Sequence, residues 1–179
     1  LVVLKDKAGT SEDESLGCSA DAYLSAGIES GKNQLAVVTR GTCARAAKPI
    51  YGQQAGAAAV LMVNTESGYP PSEGEITSNP DDGVPYTVTI PFLGVLATDA
   101  DELTAGDGDL VSLAAGSLPN PGFQGYASFS SSGPRTGDSA ISPNVAAPGV
   151  SIASVGIGTG NGAAVMSGTS MAAPHVSGI

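Results

Sequence analysis

Two short apolar runs stand out along the chain. LAVVT at 35–39 and AAAVLMV at 57–63 carry no charge, and runs of this length between turn residues predict buried strands. RGTC after the first run predicts a turn, and Asn64 halts the second. Between them ARAAKPIYGQQ at 44–54 predicts a helix weakened by Pro49 and Gly52 and ended at Gly56. Residues 65–85, rich in Pro, Gly, Ser and Asp, are too polar to bury and predict a loop. Strand character returns at 86–90 and 92–96. Thr98 and Asp99 then cap a short helix through Leu103, with Glu102 as the capping-box partner of Asp99, and 110–114 reads as a further strand. Near the end, 150–155 and 163–167 predict a hairpin whose tip is the glycine-rich stretch around 156–162.

Composition narrows the function classes. The 179 residues allow one or two small domains. With 17 acidic against 7 basic side chains the chain lacks the basic footprint of a nucleic-acid binder. No apolar run approaches the roughly 20 residues of a spanning helix, so neither nucleic acid nor membrane is an expected partner. The first residues lack the layout of a signal peptide, and LVVLKDKAG and VSGI read as cuts in a longer chain. Cys18 and Cys43 are the two cysteines. They are either free buried thiols or a pair; paired, they close a loop of roughly 25 residues, worth roughly 3 kcal/mol, and require an oxidising compartment. Their even number and the position of Cys43 in a turn favour the pair.

The candidate chemistry lies in MSGTSMAAPHVSGI, from Met166 to the last residue, which holds the chain's single histidine. Thr169 and Ser170 are good N-cap residues and Met171, Ala172 and Ala173 good helix formers, while Pro174 suits only a helix start, so a helix begins around Ser170. At about 100° per residue His175 is then rotated roughly 140° away from Ser170. The two cannot form a nucleophile–base pair, and His175 reads as a packed or hydrogen-bonded helix histidine. Ser170 reads either as a simple cap or as a nucleophile. A hydroxyl at a helix N-terminus, approached by a tight turn at Gly168, sits where backbone N–H groups and the helix dipole stabilise an oxyanion.

GTSMAAPHVSG at 168–178 resembles the nucleophile motif of the subtilases, the subtilisin-like serine peptidases. FSSSGP at 129–134 and SPNVAAPGV at 142–150 look like the two blocks that precede it. The resemblance covers about 125–179 and implies that Ser170 is the nucleophile, its own N–H one oxyanion donor, with Gly168, Thr169, Met171 and Pro174 as motif support. It also implies that the histidine base, the orienting aspartate and the oxyanion asparagine lie outside this chain, in a missing N-terminal part of the catalytic domain. AVVTRGTCARAAKPIYGQQAGAAAVLMVN and TIPFLGVLATDADEL resemble the protease-associated (PA) domain, a small mostly-β module inserted in many secreted and vacuolar peptidases.

The expected architecture is a mostly-β or α+β PA domain followed by the C-terminal part of an α/β subtilisin-like domain. Residues 1–15 form a lead-in from the catalytic domain, 16–115 the PA domain, 116–125 a junction and 126–179 the partial peptidase domain. The family implies a secreted serine endopeptidase that uses no cofactor or metal and takes protein or peptide substrates; this chain alone is expected to be inactive. The rival reading is a PA-type protein-binding module with a vestigial peptidase tail. Three other features are set aside. SAGIESGKN lacks phosphate-loop spacing. Asn161 in the hairpin tip reads as a left-handed turn residue rather than an oxyanion donor. Asp99, Asp101, Glu102, Asp107 and Asp109 lack EF-hand spacing and read as a solvated helix start.

Overall fold

A computed structural model describes residues 1–7, 9, 12–117, 119 and 123–179. The chain divides into two compact units, Leu1–Pro70 with Glu75–Leu118, and Pro71–Gly74 with Pro119–Ile179. Part of the expected junction at 116–125 falls outside the described residues.

The first unit is built on a four-stranded parallel sheet in the order β1 (Val2–Val3), β2 (Leu35–Thr39), β3 (Ala59–Val63), β4 (Phe92–Val95). Five register pairs, from Leu35↔Ala59 to Thr39↔Val63, join the central strands. Helices α1 (Ala20–Ser25) and α2 (Ala47–Ala55) connect β1 to β2 and β2 to β3, and α3 (Ala100–Ala105) follows β4. Alternation along the central strands sends Ala36, Val38, Val60 and Met62 into a core with Tyr23, Ile28 and Ala55. Leu35, Val37, Ala59, Leu61 and Val63 enter a second core, packed by Ala100 and Leu103. Burial on both faces is why the two strands read as unbroken apolar runs.

Several expectations are corrected here. The unit is α/β with a parallel sheet, not mostly β. Residues 1–15, read as a lead-in, contribute the edge strand β1, whose Val2 and Val3 pair with Ala36 and Val37. Helix α1 went unread; Ser19 caps it by accepting from the Ala22 N–H at 3.3 Å. Pro49 does not weaken α2, because it is the third residue of the helix, where its N–H would be unused. Gly52 lets α2 approach the sheet, since a Cβ there would lie 2.4 Å from Val60 Cγ2. Gly56 ends the helix with φ of 98°, as its left-handed C-cap.

Residues 86–90 form no strand. Tyr86 N–H and Val88 N–H donate to the Thr77 and Ile76 carbonyls at 3.0 Å. The Gln53 side chain accepts from Thr89 N–H at 2.7 Å and Ile90 N–H at 3.2 Å and donates to the Thr87 carbonyl at 3.1 Å. A side chain thus replaces the ladder. Residues 110–114 are irregular too, with Leu110 fully exposed. The sheet edge beside them is occupied by the chain just before: Gly108 N–H donates to the Leu1 carbonyl at 3.0 Å and Asp107 accepts from Val3 N–H at 2.9 Å. Asp99 does not cap α3 with Glu102. Its carboxylate instead accepts from Leu96 N–H at 3.1 Å and closes the 3-10 turn Ala97–Asp99.

Cys18 and Cys43 are joined by a disulfide with Cα atoms 5.7 Å apart, tying the residue before the α1 cap to the β2–α2 turn. The intact chain is therefore expected to weigh about 2 Da less than its reduced form. Reduction should lower unfolding free energy by about 3 kcal/mol, read from urea denaturation.

The second unit is smaller: an antiparallel hairpin, β5 (Ile152–Val155) and β6 (Ala163–Met166), followed by α4 (Thr169–Ser177). Its tip takes positive φ at Gly158 (77°) and Gly160 (69°), not at Asn161. Large apolar side chains here lie open to solvent, among them Tyr126, Ile141, Val145, Val155 and Ile157. Among the described residues no helix is long and apolar enough to cross a membrane.

Candidate active site

The site grows out of the turn between β6 and α4. Gly168 is the N-cap, with extended backbone (φ 161°, ψ 161°) rather than the tight turn expected, so neither Thr169 nor Ser170 caps the helix. Its carbonyl accepts from Met171 N–H at 3.0 Å and Ala172 N–H at 3.4 Å. Among the described residues the Thr169 and Ser170 N–H groups have no acceptor, as the first N–H groups of a helix must unless something is supplied to them. The Ser170 side chain is exposed and its hydroxyl has no hydrogen-bond partner among the described residues. A free hydroxyl, its own free N–H and the positive end of α4 thus stand together, an arrangement that receives negative charge on an oxygen bonded to that hydroxyl's carbon partner.

The turn is held by backbone and side-chain contacts from the segment at 149–151. Gly149 accepts from Gly168 N–H at 2.8 Å. A Cβ at Gly149 would lie 2.9 Å from the Gly168 carbonyl oxygen and 3.2 Å from Ala172 Cβ. Glycine is what allows the two backbones to touch. One residue on, Ser151 N–H donates to Ser167 Oγ at 2.8 Å, and Ser151 Oγ accepts from Ser72 N–H at 3.0 Å. The APGV block at 147–150 was visible in the sequence, but no local pattern states its contact with the turn.

His175 is spent locally. Its Nδ1–H donates to the Met171 carbonyl at 2.8 Å, four residues back, and it makes no hydrogen bond to Ser170. Asp138, an acid of the same unit, is committed to Arg135 and to the Ala140 N–H; the guanidinium holds its carboxyl below the usual range, and it orients no histidine. Pro174 lies in the interior of α4, not at its start, and has no N–H to offer the Ser170 carbonyl. Met171 contributes its backbone to the cap and half-buries its side chain. Among the described residues no cluster of His, Cys, Asp or Glu could hold a metal ion.

Comparison with known proteins finds two families along the chain, with matches that overlap at 97–103. Residues 2–103 match the PA domain family and residues 97–179 the Subtilase family. A PII-type proteinase of Lacticaseibacillus paracasei is 34% identical over 98% of this chain, and a PIII-type proteinase of Lactococcus lactis subsp. cremoris is 32% identical over 98%. A PI-type proteinase of the latter organism is also 32% identical. The chain spans 9% of the first relative's length and 8% of the second's. The chain belongs to the PA domain family through residues 2–103, and the Subtilase family matches residues 97–179, which include Ser170.

Proposed function

We propose that this chain is the PA domain and serine-bearing segment of a longer, secreted subtilisin-like serine endopeptidase. The observation that carries the reading is the exposed Ser170 at the N-terminus of α4, with its hydroxyl and N–H both free, inside a segment that matches the Subtilase family. In this reading Ser170 Oγ attacks the scissile carbonyl carbon and its proton passes to a histidine from elsewhere in the longer chain. The Ser170 N–H holds the oxyanion, the amine leaves with that proton, and water then releases the acyl group. The exposed apolar side chains of the second unit support completion by further chain, since each such side chain gains about 1.5–3 kcal/mol on full burial. The disulfide supports an oxidising compartment. The first unit is proposed to contact protein substrates or partners.

A longer natural chain containing these residues is expected to hydrolyse an unfolded protein substrate, while residues 1–179 alone do not. Cleavage by the isolated chain at a comparable rate would show that the base is here and the reading wrong. Binding without cleavage by the longer chain would favour a PA-type binding module with a vestigial tail.

A further inference from the structure

Lys48 takes no part in the chemistry above, yet its side chain is wholly buried in the first unit. Its ammonium donates to the Leu16 carbonyl at 2.5 Å and stands 3.5 Å from Cys43 Sγ and 3.9 Å from Cys18 Sγ. Among the described residues no carboxylate forms an ion pair with it. The acids that face it, Asp81 and Asp13, act at a distance; Asp81 is engaged by the Ala44 N–H and Asp13 by Ser15. Its carbonyl end is fixed as well, accepting from the buried Tyr23 hydroxyl at 2.8 Å. Burial lowers Lys48 to about 8 despite those acids, as expected of an ammonium short of counter-charge.

A buried cation is ordinarily matched by an anion in contact. Here the groups in contact are the Leu16 carbonyl and a disulfide, which is neutral while closed and supplies a full negative charge once opened. The missing counter-charge is therefore latent in the sulfur that Lys48 touches. We propose that Cys18–Cys43 is a thiol–disulfide exchange site for an external dithiol, with Lys48 holding Cys43 as the leaving thiolate. An incoming thiolate attacks Cys18 Sγ, the S–S bond breaks, and its electron pair leaves on Cys43 Sγ beside the ammonium. The reductant's second thiolate then attacks its own sulfur in the mixed disulfide and departs as a cyclic disulfide, oxidised by two electrons. Cys18 leaves as a thiolate and takes a proton. Lowering the leaving thiol's pKa speeds this exchange, and a neighbouring lysine lowers it. Both cysteines are half-buried rather than wholly enclosed. The inference stands apart from the peptidase reading, because it concerns the first unit alone.

The test uses the whole chain and dithiothreitol at neutral pH without denaturant, following opening by alkylation and intact mass. Opening should be first order in dithiothreitol and about ten-fold faster than in a folded Lys48→Met variant. A rate independent of dithiothreitol, or equal in the two proteins, would overturn the proposal. Should Lys48→Met fail to fold, Cys18→Ser decides: the midpoint of Cys43 alkylation against pH should fall well below the ordinary thiol value of about 8.5. A midpoint at or above that value overturns it.

Discussion

Replacing Ser170 with alanine in a longer natural chain that carries these residues should lower turnover of a peptide substrate by about a million-fold, leaving the fold unchanged. The magnitude follows from what the substitution removes. Without Oγ no acyl-enzyme forms, and what remains is positioning and the backbone donors, which alone leave a residual acceleration over water of roughly a thousand-fold or more. The fold is spared because the Ser170 side chain is exposed and its hydroxyl bonds to nothing among the described residues. Alanine, a better helix former, suits the first turn of α4. Circular dichroism and the denaturation midpoint should match the parent's; a fall in turnover of less than ten-fold would remove Ser170 from the chemistry.

The next largest effect is expected at a residue with no side chain. Gly149→Ala places a methyl group 2.9 Å from the Gly168 carbonyl oxygen and 3.2 Å from Ala172 Cβ. A backbone atom cannot rotate aside, so either the 149 segment or the start of α4 must shift. The same carbonyl accepts from Met171 and Ala172 N–H, and Gly168 N–H donates back to Gly149. A shift therefore reaches the Ser170 N–H two residues on. Displacement of a catalytic group by about 1 Å costs about a hundred-fold, so kcat in the longer chain should fall by about that factor while KM changes little. Stability should fall by about 1–3 kcal/mol from the overpacking. Gly116, with nothing within 4 Å of a Cβ, is the control, and its alanine variant should behave as the parent. An unchanged kcat in a folded Gly149→Ala protein would mean that the turn is positioned by something else.

The two central strands were legible because burial on both faces leaves them apolar without interruption, and α2 because Gly56 and the helix formers before it give it an end and a body. What lies at the sheet's margins was not. Strand β1 is only Val2–Val3, too short for any period to show. Residues 86–90 alternate like a strand, but the Gln53 side chain answers their backbone, and a local pattern cannot announce a partner that far away. The parallel register that makes the unit α/β is likewise a long-range fact. The place of Ser170 in the first turn of a helix was legible from the residues around it. The close approach of Gly149 was not, because a glycine's reason is the atom it avoids. The reading of His175 as a hydrogen-bonded helix histidine agrees with its bond to the Met171 carbonyl.

The central claim, that Ser170 is a nucleophile completed by residues elsewhere in a longer chain, is tested most directly by a fluorophosphonate probe with the adduct located by tandem mass spectrometry. The account predicts one adduct, on Ser170, in the longer chain, and none above background in residues 1–179 alone. An adduct on another serine, or equal labelling of the isolated chain at Ser170, would contradict it.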